Sequence, residues 1–117
     1  MINKQFQIKS DETSPGTFVL RLSGELDSKS APSLMTRWKA ERKKGRVIVI
    51  NLAGIEFISS SGVGVLLAIV EESNESGAGI HLVAPSANVQ SVMRLLGLER
   101  FLPILPSEDA VPLRKAG

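Results

Sequence analysis

Cysteine is absent from the chain. Disulfides, thiolate nucleophiles and cysteine-held metals are thereby excluded together, and the composition fits a reducing compartment. Tyrosine is missing too, and the aromatics amount to one Trp and four Phe. The core that a 43% hydrophobic composition supports must therefore be mostly aliphatic. No apolar run approaches the ~20 residues of a membrane span, and the opening "MINKQFQIKSDE" lacks the apolar stretch of a secretory signal. A soluble, cytoplasmic chain without membrane insertion is expected. The one histidine, His81, falls in a predicted strand, where such a residue is usually structural. It leaves no second imidazole for a metal, and the acidic residues are scattered rather than set at ligand spacing.

What is present fits one domain. A chain of 117 residues buries roughly two-thirds of the surface it would expose unfolded, and residues 1–117 are read as a single domain with a core from about 5 to 111. The net charge of +2 is too mild to imply direct nucleic-acid binding. Basic residues do cluster in "RWKAERKKGR", Arg37 to Arg46. We read this run as a solvated helix end whose cations complement the carbonyl end of the dipole. The competing reading is a basic patch for nucleic acid, lipid headgroups or an acidic partner, but no row of aromatic side chains runs through it for base stacking.

Hydrophobic periodicity gives the order of elements. Phe6 and Ile8 alternate with polar residues as in an edge strand, "SDETSPG" is a turn, and "TFVLRLSG" sets Phe18, Leu20 and Leu22 on one face, so the pair reads as a hairpin. "ELDSKSAPSLMTRWKAERKKG" reads as a loop and a helix, capped by Asp27 or Ser28, with Pro32 in its first turn, a stripe of Ala31, Leu34 and Trp38, and Gly45 as left-handed terminator. "RVIVINL" is a central strand covered on both faces. Val63 to Ser76 has helical spacing and ends at Gly77; "GIHLVAP" is a strand; "SANVQSVMRLLGL" is a helix capped by Ser86, with Val89, Val92, Met93 and Leu96 as its stripe and Gly97 as its stop. "FLPILP" gives a short last strand and "SEDAVPL" at most one helical turn. Helices alternating with strands imply right-handed parallel crossovers. The class is α/β, with a mixed sheet and helices on one face.

The segment "FISSSGVGVLL", Phe57 to Leu67, joins a strand to a helix through three serines. It is not a nucleophile elbow, because the glycine two residues before the serine is missing. It is not a P-loop, because no lysine stands beside it. One serine caps the helix, which does not account for three. A hydroxyl at a helix N-terminus also suits phosphorylation, because the dipole and free amides favour negative charge, and a phosphoserine of about two charges at an interface repels a partner without unfolding the domain.

"GELD" before the first helix, "INLAGIEFISSSGVGVL" across the central strand and second helix, and "MRLLGLERFLPI" near the end together resemble STAS domains, in particular the stand-alone bacterial anti-sigma factor antagonists. The likeness runs from Phe6 to about Val111. It implies the SpoIIAA-like fold, a mixed, mostly parallel sheet of about five strands with helices mainly on one face. The family's usual junction is Asp-Ser-Ser/Thr-Gly, with the hydroxyl residue before the glycine phosphorylated. Gly62 fixes the register, so the resemblance makes Ser61 the acceptor and Ser60 its neighbour, puts Ser59 where the family has Asp, and matches Asp27 to an acidic residue near the phosphorylation site.

The resemblance also implies a function. The chain would be a protein-binding module and kinase substrate, not an enzyme, without cofactor or metal. It would bind an anti-sigma factor, a serine kinase with a histidine-kinase-like ATPase fold, and so free a sigma factor. Phosphorylation would end the complex, and a metal-dependent serine phosphatase would restore it. The expected partner surface comprises Asp27, Ser59, Ser60, Ser61, Gly62 and Val63 with neighbouring apolar side chains. The competing readings within the same fold are a STAS subunit of a lipid-transport ATPase complex or another, non-phosphorylated STAS interaction module.

Overall fold

The computed structural model describes residues 5–112. Five strands form one sheet in the order β1-β2-β3-β4-β5: β1 (Gln7–Ser14), β2 (Thr17–Leu26), β3 (Val47–Ile58), β4 (Gly79–Val83) and β5 (Ile104–Leu105). β1 pairs antiparallel with β2, and every other pairing is parallel. Helices α1 (Ala31–Arg42), α2 (Ser60–Ser76) and α3 (Ala87–Leu95) make the crossovers. This is the mixed α/β sheet expected from the alternating pattern.

The two faces of the sheet differ. Leu20, Leu22, Ile48, Ile50 and Leu82 pack in one apolar cluster with Leu34 and Trp38 of α1, Leu66 and Ile69 of α2, and Val89 and Met93 of α3. The alternate residues Val19, Val49 and Val83 form a second, small cluster with Leu105 and Val111 on the helix-free face. Period-two alternation along β2 and β3 feeds both. A short 3-10 turn, Glu108–Ala110, straps this second face. The Glu108 carboxylate accepts Arg21 Nε and Nη2 at 2.9 and 2.8 Å and Asn51 Nδ2 at 2.6 Å.

Several boundaries differ from the sequence expectation, each for a physical reason. β1 continues through Ser14, so "SDETS" is strand and only Pro15 and Gly16 turn. Its side chains there are mostly exposed on both faces, which erases the alternation that marks a strand. β2 runs on through Leu26, and Gly24 at φ +92° carries an irregularity in its pairing with β3. The cap of α1 is Ser30, not Asp27 or Ser28. Gly45 is not a left-handed terminator: α1 ends at Lys43 in right-handed geometry, and Gly45 is absent from the positive-φ residues. Its missing side chain instead admits the Phe18 ring and the Gly16 carbonyl, which a Cβ would strike. α2 begins at Ser60, directly after a serine cap as expected, but Leu96, assigned to the buried stripe of α3, is 54% exposed because the helix ends beside it.

Two measurements test this packing. Gly45→Ala should cost about 1–3 kcal/mol by overpacking, seen as a lower Tm; an unchanged Tm would mean that the Phe18 ring swings aside freely. Glu108→Gln should cost up to about 1 kcal/mol near neutral pH, the range of exposed ion pairs. The Arg21 guanidinium, helped by Asn51, holds the Glu108 carboxyl below the usual glutamate range. The stability it contributes is therefore present above the unfolded pKa of about 4.3 and lost as pH falls through the lower folded value. Thermal curves of the two proteins should converge in acid, and a gap persisting there would assign the effect to packing rather than charge.

Candidate functional site

β2 and β3 are parallel neighbours with Leu26 opposite Ile58 at their carboxyl ends. The residues that follow, Asp27 and Ser59, therefore leave the sheet side by side. The Ser59 amide donates to the Leu26 carbonyl at 3.0 Å, continuing the ladder by one bond into the junction.

Ser59 then turns the chain into α2. Its backbone is extended, at φ −94° and ψ 177°, and its hydroxyl accepts the Gly62 amide at 3.3 Å. Ser59 is thus an N-cap of the ordinary kind. The Val63 amide donates to the Ser59 carbonyl at 2.9 Å. Ser60 and Ser61 occupy the first two helical positions, where an amide has no intrahelical acceptor, and both side chains are exposed. One of the three hydroxyls is therefore engaged in the fold, and the other two are presented at the positive end of a helix of 17 residues.

Gly62 is buried against β2: a Cβ there would strike the Leu26 carbonyl oxygen and come within 2.8 Å of Ile58 Cγ1. Its role is intramolecular. Val63 is 5% exposed and belongs to the core, so these two members of the expected partner surface hold the turn from beneath. Gly64 is exposed, and a Cβ there would meet nothing within 4 Å.

Asp27 organises the loop before α1. Its carboxylate accepts the Lys29 and Ser30 amides at 2.9 and 3.2 Å. The Ser30 amide, with Lys29 and the Ser30 hydroxyl, holds the Asp27 carboxyl below the usual aspartate range. Ser30, itself buried, donates its hydroxyl to the Glu25 carbonyl at 2.7 Å and receives the Asp27 amide at 2.9 Å. Asp27 is thus a negative charge fixed by its own loop on the strand end next to the serine turn.

Phe57 and Ser30 also belong to this junction, though little in the sequence marks them. Phe57 is 50% exposed although it is the penultimate residue of the central strand, and it stands two residues before Ser59; its only sequence signal is its place between Glu56 and the buried Ile58. Ser86 and Asn88 at the start of α3 brace the same strand end, donating to the Ile55 and Glu56 carbonyls at 2.6 and 2.5 Å. His81 pairs with Val49 near the start of β3, at the other end of the strand from the serines, and burial lowers its pKa. Among the described residues no group of three or more His, Cys, Asp or Glu is placed to hold a metal ion.

What this junction can do chemically is present hydroxyls and a fixed charge to another molecule. Its relatives have the same architecture. The chain is 32% identical over 97 residues to an anti-sigma F factor antagonist of Lysinibacillus sphaericus, covering 81% of this chain and 83% of that one. An anti-sigma factor antagonist of Mycobacterium paratuberculosis superimposes with a TM-score of 0.78 at 27% identity, over 90% of this chain and 89% of the other. The anti-sigma factor antagonist SpoIIAA in its unphosphorylated form gives a TM-score of 0.72 at 25% identity, over 90% and 93%. The family model of the STAS domain matches residues 9–111, and the chain belongs to the STAS domain family.

Proposed function

We propose that the protein is an anti-sigma factor antagonist, a binding module that holds an anti-sigma factor and releases a sigma factor, with the complex controlled by phosphorylation of Ser61. The observation that carries this reading is the division of labour among the serines. Ser59 spends its hydroxyl on the cap, whereas Ser61 is exposed at the second position of α2, where a phosphate adds charge without breaking a hydrogen bond of the fold. The names of the relatives supply the partner, an anti-sigma factor. The kinase would be that same partner, a histidine-kinase-like ATPase that transfers a phosphoryl group from its ATP to the Ser61 oxygen, and a metal-dependent phosphatase would remove it.

The docking surface on this reading is Ser60, Ser61 and the open backbone at Gly64, with Asp27 on one flank and Phe57 as an apolar anchor. Gly62 and Val63 act by keeping the turn against β2. A phosphate on Ser61 meets favourable amides within its own helix, so its penalty falls on the complex: two added charges would have to be desolvated against the partner. The fold catalyses nothing on this reading.

Ser61→Asp should therefore move two properties in opposite directions. An acid in the first turn complements the dipole and should raise stability by a few tenths of a kcal/mol, while binding to the anti-sigma factor should weaken by about tenfold or more, ~1.4 kcal/mol. A pull-down from source-cell extract with both baits, read by mass spectrometry, should find the ATPase on wild type and not on Ser61→Asp; the same partners on both baits would reject the switch. Ser59 has a separate test. Ser59→Ala should cost about 1 kcal/mol through the lost cap, and Ser59→Asp, an equally good cap, should leave Tm nearly unchanged. A large loss in Ser59→Asp would show that the added charge, not the cap, dominates there.

A further inference from the structure

The basic run that ends α1 and the exposed apolar side chains at and beyond the end of α3 have no part in the serine junction; the first leads into the amino end of β3 and the second towards β5. Four large hydrophobic side chains are exposed among the described residues, and three of them lie between residues 95 and 101: Leu95 at 86%, Leu96 at 54% and Phe101 at 73%. Core packing explains Val89 and Met93 of the same helix, which are buried, but not Leu95. The chain beyond α3 winds back on it, with the Leu98 amide donating to the Met93 carbonyl at 2.9 Å and the Phe101 amide to the Leu98 carbonyl at 3.0 Å. Phe101 is thereby held beside the helix end and in solvent.

Cations border this patch. Lys43, Lys44 and Arg46 are exposed on the connection from α1 to β3. Lys44 lies 3.8 Å from Glu41, while Lys43, Arg46 and Arg100 have no ion pair among the described residues. The Arg46 carbonyl accepts the Gly79 amide at 2.9 Å, and Gly79 lines a cavity of about 470 Å³ together with Arg100 and Phe101. The backbone of Arg46 and the Arg100–Phe101 segment thus both border Gly79, at the amino end of β4. The nearby acids are largely committed: Glu41 to Arg37 and Lys44, Glu72 to Arg42, Glu99 to Arg94. Glu71 and Glu75 remain.

We propose that this end of the domain docks on an anionic lipid surface, with Phe101 and Leu95 at the headgroup boundary and Lys43, Lys44, Arg46 and Arg100 against the lipid phosphates. Charge complementarity selects this occupant. A second copy would bring the same cations face to face, whereas an anionic bilayer satisfies cations and apolar side chains at once. Neither signal holds a protein to a membrane alone; the pair gives reversible, salt-sensitive attachment. Nothing crosses the bilayer, since among the described residues no helix is long and apolar enough to do so. β3 separates this surface from Ser61 by its 12 residues, roughly 35 Å of strand, so an attached domain presents its serines away from the lipid. The inference does not rest on the proposed function.

Co-sedimentation of the full chain with vesicles tests it. The protein should pellet with mixed phosphatidylglycerol and phosphatidylcholine vesicles but not with phosphatidylcholine alone, and salt near ~1 M, where the screening length is ~3 Å, should release it. The combined variant Lys43→Gln, Lys44→Gln, Arg46→Gln and the pair Leu95→Ser, Phe101→Ser should each reduce partitioning about tenfold, with Tm checked because all five sites are exposed. Ser61→Asp should bind vesicles like wild type. No pelleting, equal pelleting with neutral vesicles, or indifference to either set of variants would overturn the proposal. So would a dimer in analytical ultracentrifugation that Leu95→Ser, Phe101→Ser dissolves, which would give the patch to a second copy. Loss of vesicle binding in Ser61→Asp would overturn the placement of the surface.

Discussion

At the carboxyl end of β2 the Leu26 carbonyl occupies the space that a side chain on residue 62 would need. That contact sets the rest of the junction. It presses the first turn of α2 against β2, lets the Ser59 amide reach the same carbonyl, and thereby brings the serine turn alongside the loop that Asp27 and Ser30 tie together. A larger residue at 62 would lift the helix from the strand end and separate the two. The free hydroxyls sit on a rigid platform because the glycine beneath them is buried, and the core behind, from Val63 through Leu66 and Ile69, fixes the helix along its length.

The two ends of β3 have different characters. The carboxyl end carries polar hydroxyls, one fixed carboxylate and a half-exposed phenyl ring. The amino end is approached by basic residues and by the apolar turn beyond α3. A sheet with helices on one face separates its ends by the strand length, so the two ends are accessible independently of one another. The helix-free face is strapped by Glu108 through Arg21 and Asn51.

Much of this was legible in the sequence, for reasons particular to each segment. "RVIVINL" announced a strand buried on both sides, and Val49 does face the second cluster while Ile48 and Ile50 face the first. Ser86, Gly77 and Gly97 were legible as cap and stops because those roles depend on a few neighbouring atoms: Ser86 accepts the Val89 amide, and both glycines have positive φ. What was not legible depends on distant partners. Gly45 looks like a helix terminator in sequence, yet its constraint comes from Phe18, on a strand laid down much earlier. The bond between Arg21 and Glu108 spans 87 positions, and no local pattern announces it. At the site, the register of Gly62 is what singles out Ser61 among the three serines in the sequence. The burial of Val63 agrees with its place in the apolar stripe of α2, whereas the burial of Gly62 and the exposure of Phe57 required the fold.

The cap at Ser59 bears on how such a junction drifts over evolutionary time. A hydroxyl and a carboxylate are near-equal acceptors for the amide three residues on, so the fold does not discriminate between Ser and Asp at this position. Selection there acts only through whatever approaches from outside. A lineage can therefore exchange one for the other, and with it the charge beside Ser60 and Ser61, without first acquiring a compensating change in the core. The position is near-neutral for the fold and open to exchange in both directions.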